Sequence, residues 1–328
     1  MNWSEKESPL LEAVGLKKYF HIAAGQLHAV DDVSLSINSG ETLGLVGESG
    51  CGKSTFGRAL LRLIEPTAGQ VFYKGQDILK LDKIGMKQKR REMQIIFQDP
   101  YSSINPRMSV AELIAEFLIV NQVYEKRQDA FNHAAKLMDI VGLARRFANS
   151  YPHELDGGRR QRIGIARALA LNPEFIVCDE PVSALDVAIQ AQILNLLMDL
   201  QDEFGLTYLF ITHNLSVVKH ISTEIAVMYL GQCVEKANTD DLFDNPLHPY
   251  TRALISAIPY PDVSMRTREI KLIKGEVTNP INPAPGCRFA ARCEQVMDIC
   301  RKETPALLNQ AKGPGDGKHL VACHLYTS

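Results

Sequence analysis

No stretch of 18 or more apolar residues occurs in the 328-residue chain, so its sequence predicts no membrane-spanning helix. The opening segment, Met1 to Leu10, is polar and acidic and lacks an apolar signal core. A cytosolic protein, or one held at a membrane by partners, is expected. Excess basic charge is missing too. Lys plus Arg number 36 against 38 Asp plus Glu, a formal net charge of −2, which argues against nucleic-acid binding through a basic surface. What remains is an ordinary soluble composition, 45% hydrophobic and 23% charged, with length for one large or two modest domains. The seven cysteines are unevenly spread: Cys51, Cys178 and Cys233 are scattered, and Cys287, Cys293, Cys300 and Cys323 crowd the C-terminal end. In a reducing compartment such a crowd points to a metal site before disulfides.

The strongest motif is Gly47-Glu48-Ser49-Gly50-Cys51-Gly52-Lys53-Ser54-Thr55, which fits G-x-x-x-x-G-K-[ST]. Thr42 to Val46 reads as a buried strand before it. Lys53 to Ile64 reads as a helix after it, stopped by Pro66. Strand, glycine-rich turn and helix start are what a phosphate-binding loop needs, because loop amides and the helix dipole both face an anion. Lys53 is expected on the β- and γ-phosphates and the Ser54 hydroxyl on Mg²⁺.

Strands are predicted at 11–14, 27–30 and 33–37, with Tyr19 and Phe20 between the first two. Tyr19 is equally suited to stacking on an adenine and to ordinary packing. Val71 to Gly75 reads as a short hairpin, and Lys80 to Arg91 as a solvated helix or turn. The strand Met93–Phe97 ends at Gln98-Asp99-Pro100, and strand C-termini of α/β sheets are where ligands bind. From about 101 to 170 the pattern is helical. Asp156-Gly157-Gly158 precedes a helix over 163–171 and is either an anion-directed helix start or an N-cap. The apolar strand Phe175–Cys178 delivers Asp179 and Glu180, carboxylates that are costly there unless they meet a cation or do chemistry. Asp179 fits a Mg²⁺ partner and Glu180 a water-activating base. Tyr208–Thr212 delivers His213 to a γ-phosphate position. A proline-rich passage at Pro259, Pro261, Pro280, Pro283 and Pro285 then leads to the cysteines. The spacing Cys287-x5-Cys293-x6-Cys300-x22-Cys323 suits zinc or an iron–sulfur cluster. It lacks the short pairs of zinc ribbons and ferredoxins, so it does not choose between them.

In their order, the P-loop, Gln98 before Asp-Pro, the Gly-Gly signature, Cys178-Asp179-Glu180-Pro181, Ser183 to Asp186 and His213 resemble an ATP-binding subunit of an ABC transporter. The resemblance runs essentially the whole length. It implies a P-loop NTPase core with a β subdomain, an all-helical insertion at about 101–170 and a Cys-rich C-terminal extension. The implied domains are 8–262 for the nucleotide-binding domain and 263–328 for the extension. ATP would be held by Tyr19 on the adenine and by Gly47, Ser49, Gly50, Cys51, Gly52, Lys53, Ser54 and Thr55. Mg²⁺ would be held by Ser54, Gln98 and Asp179. Glu180, His213 and Gln98 would be catalytic, and Asp186 would lie at a dimer interface.

Asn245 to Thr251, Asn279 to Pro283 and Gly286-Cys287-Arg288-Phe289 resemble, more narrowly, the oligopeptide/dipeptide importer branch. Its nickel-carrying relatives share this tail. The implied partners are a second ATP-binding subunit, two membrane permease subunits and an extracytoplasmic binding protein, with the chain on the cytoplasmic face of the plasma membrane. The branch also implies a four-iron four-sulfur cluster on the four cysteines. A soluble ABC ATPase of repair or translation is disfavoured, since the chain carries one cassette and no long coiled coil. One departure stands out. The usual signature Leu-Ser-Gly-Gly-Gln is here Leu155-Asp156-Gly157-Gly158-Arg159. Facing the partner's ATP, an ionised Asp156 costs about 4 kcal/mol per like-charge pair at ~4 Å and an effective dielectric of ~20. Arg159 and Arg160 are the groups able to offset it. An asymmetric heterodimer is the expected consequence.

Overall fold

A computed structural model describes residues 8–99, 104–258, 280–310 and 318–326. Pro100, Tyr101, Pro259, Pro261, Asn279 and the domain boundary expected at 262 lie outside the described residues. Two compact units are present. The described residues of Met1–Ile37, Thr42–Leu79 and Thr212–Ser328 form one, and Asn38–Glu41 with Lys80–Ile211 form the other.

The first unit holds two sheets. One has the order β2-β1-β4-β5, with β1 Leu11–Ile22, β2 Gly25–Ile37, β4 Ala68–Tyr73 and β5 Gln76–Asp77. The strands expected at 11–14 and 27–37 are thus a longer pair. Register shifts between Ala13 and Tyr19 let β1 bend past its polar residues without breaking. In the other sheet, β3 Thr42–Val46 pairs parallel with β9 Glu224–Tyr229, which pairs antiparallel with β10 Gln232–Asn238. All five residues of β3 are buried, which explains its unbroken apolar run. Helix α1 is Lys53–Leu60, four residues shorter than its pattern; Leu61 already caps it, and Pro66 has no part in stopping it.

The tail contributes to this unit's core. Phe289, 3% exposed, meets Tyr229 edge-on at 5.2 Å and 87°, and meets Tyr250 at 5.4 Å. Short strand β12 Leu320–Val321 pairs with β10, and β11 Leu308–Asn309 pairs with β12. The prolines and glycines of the tail prevent a core of its own, so its apolar side chains fill this one.

The second unit sets β7 Phe175–Asp179 parallel between β6 Met93–Ile96 and β8 Thr207–Ile211. Polar α2 Lys83–Glu92 precedes β6. Between β6 and β7 the described residues hold no strand. They form α3 Val110–Val120, α4 Arg127–Ile140 and α5 Gly157–Leu169. A Ser109/Glu112 capping box starts α3. Helix α5 begins at Gly157 and not at the expected Ile163, because Asp156 accepts the Arg159 amide and nucleates it there. Helix α6 Val187–Phe204 follows, capped by Asp186. Back in the first unit are α7 Leu215–Ile221, α8 Thr239–Asp244 and α9 Pro249–Ser256.

Candidate functional site

In the first unit the loop 47–52 joins buried β3 to α1. Tight backbone packing requires glycine at two of its positions. A Cβ at Gly47 would lie 2.2 Å from the Met228 carbonyl, and one at Gly52, where φ is +103°, would lie 1.9 Å from that of Ala29. Lys53 is 4% exposed and its ammonium donates to the Gly47 and Glu48 carbonyls at 2.8 and 3.0 Å. Neutral carbonyl oxygens hold this buried cation, so its charge is available to an anion. Cys51 is buried beside it, and burial raises its thiol pKa more than Lys53 lowers it. Ser54 and Thr55 start α1 half-buried, while Ser49 and Gly50 are exposed.

Tyr19 is half-buried on β1, its ring stacked on His28 with centroids 3.9 Å apart and planes at 21°. Its hydroxyl donates to Asp31. Burial pushes the Asp31 carboxyl up, but Tyr19, Arg288 and His28 outweigh it and hold the pKa below the usual value. His213 is exposed, just ahead of α7.

In the second unit the Gln98 amide donates to Glu180 Oε2 at 2.9 Å, joining the ends of β6 and β7. Glu180 takes φ +48°, the left-handed region that a non-glycine residue rarely occupies, and its amide donates to the Ile211 carbonyl. Asp179, 1% exposed, closes β7. Asp156 accepts the Arg159 amide at 2.8 Å and pairs with the Arg159 guanidinium at 2.7 Å. The Arg160 Nε donates to the Pro152 carbonyl at 2.8 Å. Gly157 and Gly158 face Leu185 and Ile189 so closely that a Cβ on Gly158 would lie 2.6 Å from Ile189 Cγ2.

A phosphate loop of this geometry, a strand-end Asp-Glu pair and a glycine-started helix have matches among known proteins. The model described as ABC transporter matches residues 30–183, and that for the oligopeptide/dipeptide transporter C-terminal region matches 234–300. The chain is 51% identical over 320 residues to the putative oligopeptide transport ATP-binding protein YkfD of Bacillus subtilis, covering 97% of this chain and 96% of that one. The chain belongs to the ABC transporter ATP-binding proteins of the oligopeptide/dipeptide branch. The dipeptide transport ATP-binding protein DppF of Haemophilus influenzae is 48% identical, with 98% of each chain covered. Among solved structures, the ATP-binding cassette MJ0796, a dimer bound to ADP and Pi, superposes with a TM-score of 0.64 at 29% identity, covering 70% of this chain and 98% of that one. The fold is therefore the P-loop ABC ATPase fold with mixed sheets, and the chain is an ABC-type ATPase.

The expected zinc or iron–sulfur site on the cysteines has no support in the geometry of the described residues. Among the described residues of this ABC ATPase, no three His, Cys, Asp or Glu side chains are gathered to hold a metal ion. Cys287, Cys293, Cys300 and Cys323 do not form such a group. They are near enough to act on one another electrostatically in every pairing. Burial, reinforced by the other three cysteines, pushes Cys287 up to about 11.

Sequence reasoning missed a further set of residues around the phosphate loop. Tyr250, fully buried on α9, accepts the Glu48 amide through its hydroxyl at 2.9 Å. Arg292 forks onto the Glu48 carboxylate at 2.8 and 3.1 Å. Arg288 pairs with Asp31 and donates to the Leu230 carbonyl. In the sequence the Leu247-His248-Pro249-Tyr250 motif is legible as a family mark and as a helix start, and the helix Pro249–Ser256 is present. Its local cause is Glu235, fully buried, whose carboxylate accepts the Leu247 and His248 amides at 2.7 and 2.9 Å and meets His319 at 2.7 Å.

Proposed function

We propose that this chain is the ATP-hydrolysing subunit of an importer of oligopeptides or dipeptides. The observation that carries the proposal is the intact phosphate loop on a chain similar, over nearly all its length, to proteins named for peptide transport. Tyr19 stacks on adenine, and Gly47, Ser49, Gly50, Cys51, Gly52, Lys53, Ser54 and Thr55 wrap the phosphates. Ser54, Asp179 and Gln98 offer the hydroxyl, carboxylate and amide oxygens that suit Mg²⁺, which neutralises phosphate charge when bound. Glu180 takes the proton of the attacking water, held in place by Gln98. His213 braces the γ-phosphate. Domains 8–262 and 263–328, with a helical insertion at about 101–170, are the working division. The partners are a second ATP-binding subunit, two permease subunits and an extracytoplasmic binding protein, with the chain peripheral on the cytoplasmic membrane face.

The dimer is asymmetric in this reading. Asp156, tied down by Arg159, is the residue this chain lends to its partner's ATP, and it lacks the hydroxyl donor of the usual serine. A four-iron four-sulfur cluster is held by four cysteine thiolates, and Cys287, Cys293, Cys300 and Cys323 are the set that the likeness to the oligopeptide/dipeptide branch assigns to it, with zinc as the alternative occupant. Such a cluster would supply a covalent staple to the tail. Iron and acid-labile sulfide in the anaerobically purified full chain, absent after serine replaces the cysteines, is the expected result; a chain free of iron overturns the cluster.

Lys53→Ala in the assembled transporter should abolish ATP-driven uptake of a labelled tripeptide without preventing assembly. Uptake surviving that change would overturn the motor role. Nickel transported in place of peptide would move the cargo to the other branch.

A further inference from the structure

The C-terminal extension touches the nucleotide side of the first unit at three places. Near its start, the Pro280 carbonyl accepts the His28 amide at 3.0 Å, and Asn282 exchanges bonds with Gln26 at the beginning of β2. Arg288, its side chain 6% exposed, then reaches Asp31, which holds the Tyr19 hydroxyl and lies 3.3 Å from His28 Nδ1. Its other Nη atom donates to Leu230 in the turn whose Gly231 amide donates to the Cys51 carbonyl at 2.8 Å. Arg292, also 6% exposed, forks onto Glu48 and donates to the Tyr229 hydroxyl at 3.3 Å.

Each contact has an electrostatic consequence. Glu48 is part of the phosphate loop. A carboxylate there without its counter-ion would repel a triphosphate, because like charges a few ångströms apart in a partly dry site are poorly screened. The Arg292 fork offsets that charge and holds the Glu48 side chain in one geometry, as a bidentate pair does. Asp31 fixes the tilt of the Tyr19 ring through the phenol hydroxyl, and the Arg288 guanidinium pairs with Asp31 and holds it in place.

We propose that Arg288 and Arg292 are positioning residues for ATP, Arg288 setting the base-stacking Tyr19 through Asp31 and Arg292 neutralising Glu48 of the phosphate loop. The extension is thereby part of the nucleotide site. This inference rests on the reading that the loop binds ATP.

Equilibrium binding to the full chain tests it, with ATP and inorganic tripolyphosphate as probes in the presence of Mg²⁺. Arg292→Met should weaken both probes about tenfold, the size of one lost charge-assisted contact, with Arg292→Lys in between. In a Glu48→Gln background the same change should cost less than about threefold, since the offending charge is gone. Arg288→Met should weaken ATP about tenfold and leave tripolyphosphate within about twofold. Asp31→Asn should follow Arg288→Met, and it substitutes for that variant if the latter fails to fold. In the assembled ATPase both arginine changes should raise KM and leave kcat within about twofold, since neither residue touches reacting atoms. Folded variants that bind both probes like the wild type overturn the inference, as does an Arg288→Met chain that loses both probes equally. Lys53→Ala separates the two levels. If it binds ATP like the wild type, the nucleotide reading fails; if it loses ATP while the arginine variants do not, only the inference fails.

Discussion

Glu180 combines a left-handed backbone with an acceptor role for the Gln98 amide. Strain of this kind costs about 1–3 kcal/mol and persists where the surroundings over-determine it, as at working sites. Glu180→Gln keeps the size and removes the base. Hydrolysis should fall by about 10²–10⁴-fold while ATP binding stays, measured as phosphate release against equilibrium binding; undiminished turnover would remove Glu180 from that role. A second prediction concerns His248. Burial depresses its pKa to about 4 from 6.5, against the pull of Glu235 and with some help from Arg252. The unfolded chain therefore binds a proton that the folded one refuses as pH falls from about 6.5 towards 4. Relative to neutral pH, about 2 kcal/mol of stability should be lost at pH 5 through this group. His248→Asn retains a side-chain acceptor for the Tyr250 amide and should flatten that dependence in urea titrations at the two pH values. Lys53 and Glu180 were legible in the sequence because their neighbours in the chain are their neighbours in space. Arg292 was not, since it meets Glu48 across 244 positions and no local pattern marks it.

Helix α5 shows why boundaries escaped a reading by pattern. Gly157 and Gly158 are poor helix formers, so the periodic signal begins only at Ile163. Tertiary packing overrides propensity: both glycines sit against Leu185 and Ile189 at the entry to α6, where any side chain would intrude. The strands around the phosphate loop were legible because burial on both faces leaves unbroken apolar runs. The paired β1 and β2 were not, because their irregular register hides the alternation. Asp156 serves the helix as well as the site, which allows its roles to be separated. The Asp156–Arg159 pair is exposed and contributes little to stability, whereas the N-cap is worth about 1 kcal/mol. Asp156→Ser keeps a capping oxygen and should leave unfolding within about 0.5 kcal/mol. Asp156→Ala should cost about 1 kcal/mol. If this chain pairs with a second ATP-binding subunit as proposed, Asp156→Ser should raise hydrolysis at the site to which this chain contributes its signature. That is measured with Glu180→Gln in the same chain, which silences the other site. No gain in rate would leave Asp156 a tolerated cap.

The C-terminal extension is anchored at both ends, by the Pro280–Asn282 contact with β2 and by β12 on β10, where the Ala322 amide donates to the Val234 carbonyl at 2.8 Å. Between these anchors Phe289 enters the core of the first unit, with Cys287 and Cys293 packed against it; Cys300 follows, and Cys323 lies just beyond the second anchor. Cys287 and Cys293 immediately precede Arg288 and follow Arg292, and the Cys287 amide donates to the Cys300 carbonyl at 2.7 Å. A covalent centre on those cysteines would therefore hold the two arginines at the distances their partners need, and its loss would reach ATP without touching the phosphate loop. Serine at all four cysteines should raise the Kd for ATP about tenfold, and thermal melting should show the first unit still folded around Tyr229 and Tyr250. The same fourfold change in an Arg288→Met/Arg292→Met chain should cost little more, because the route from the extension to the nucleotide is already cut. If the serine chain binds ATP like the wild type, the four cysteines do not bear on the nucleotide. If it weakens ATP equally with and without the arginines, the coupling runs through the shared aromatic core and not through Asp31 and Glu48.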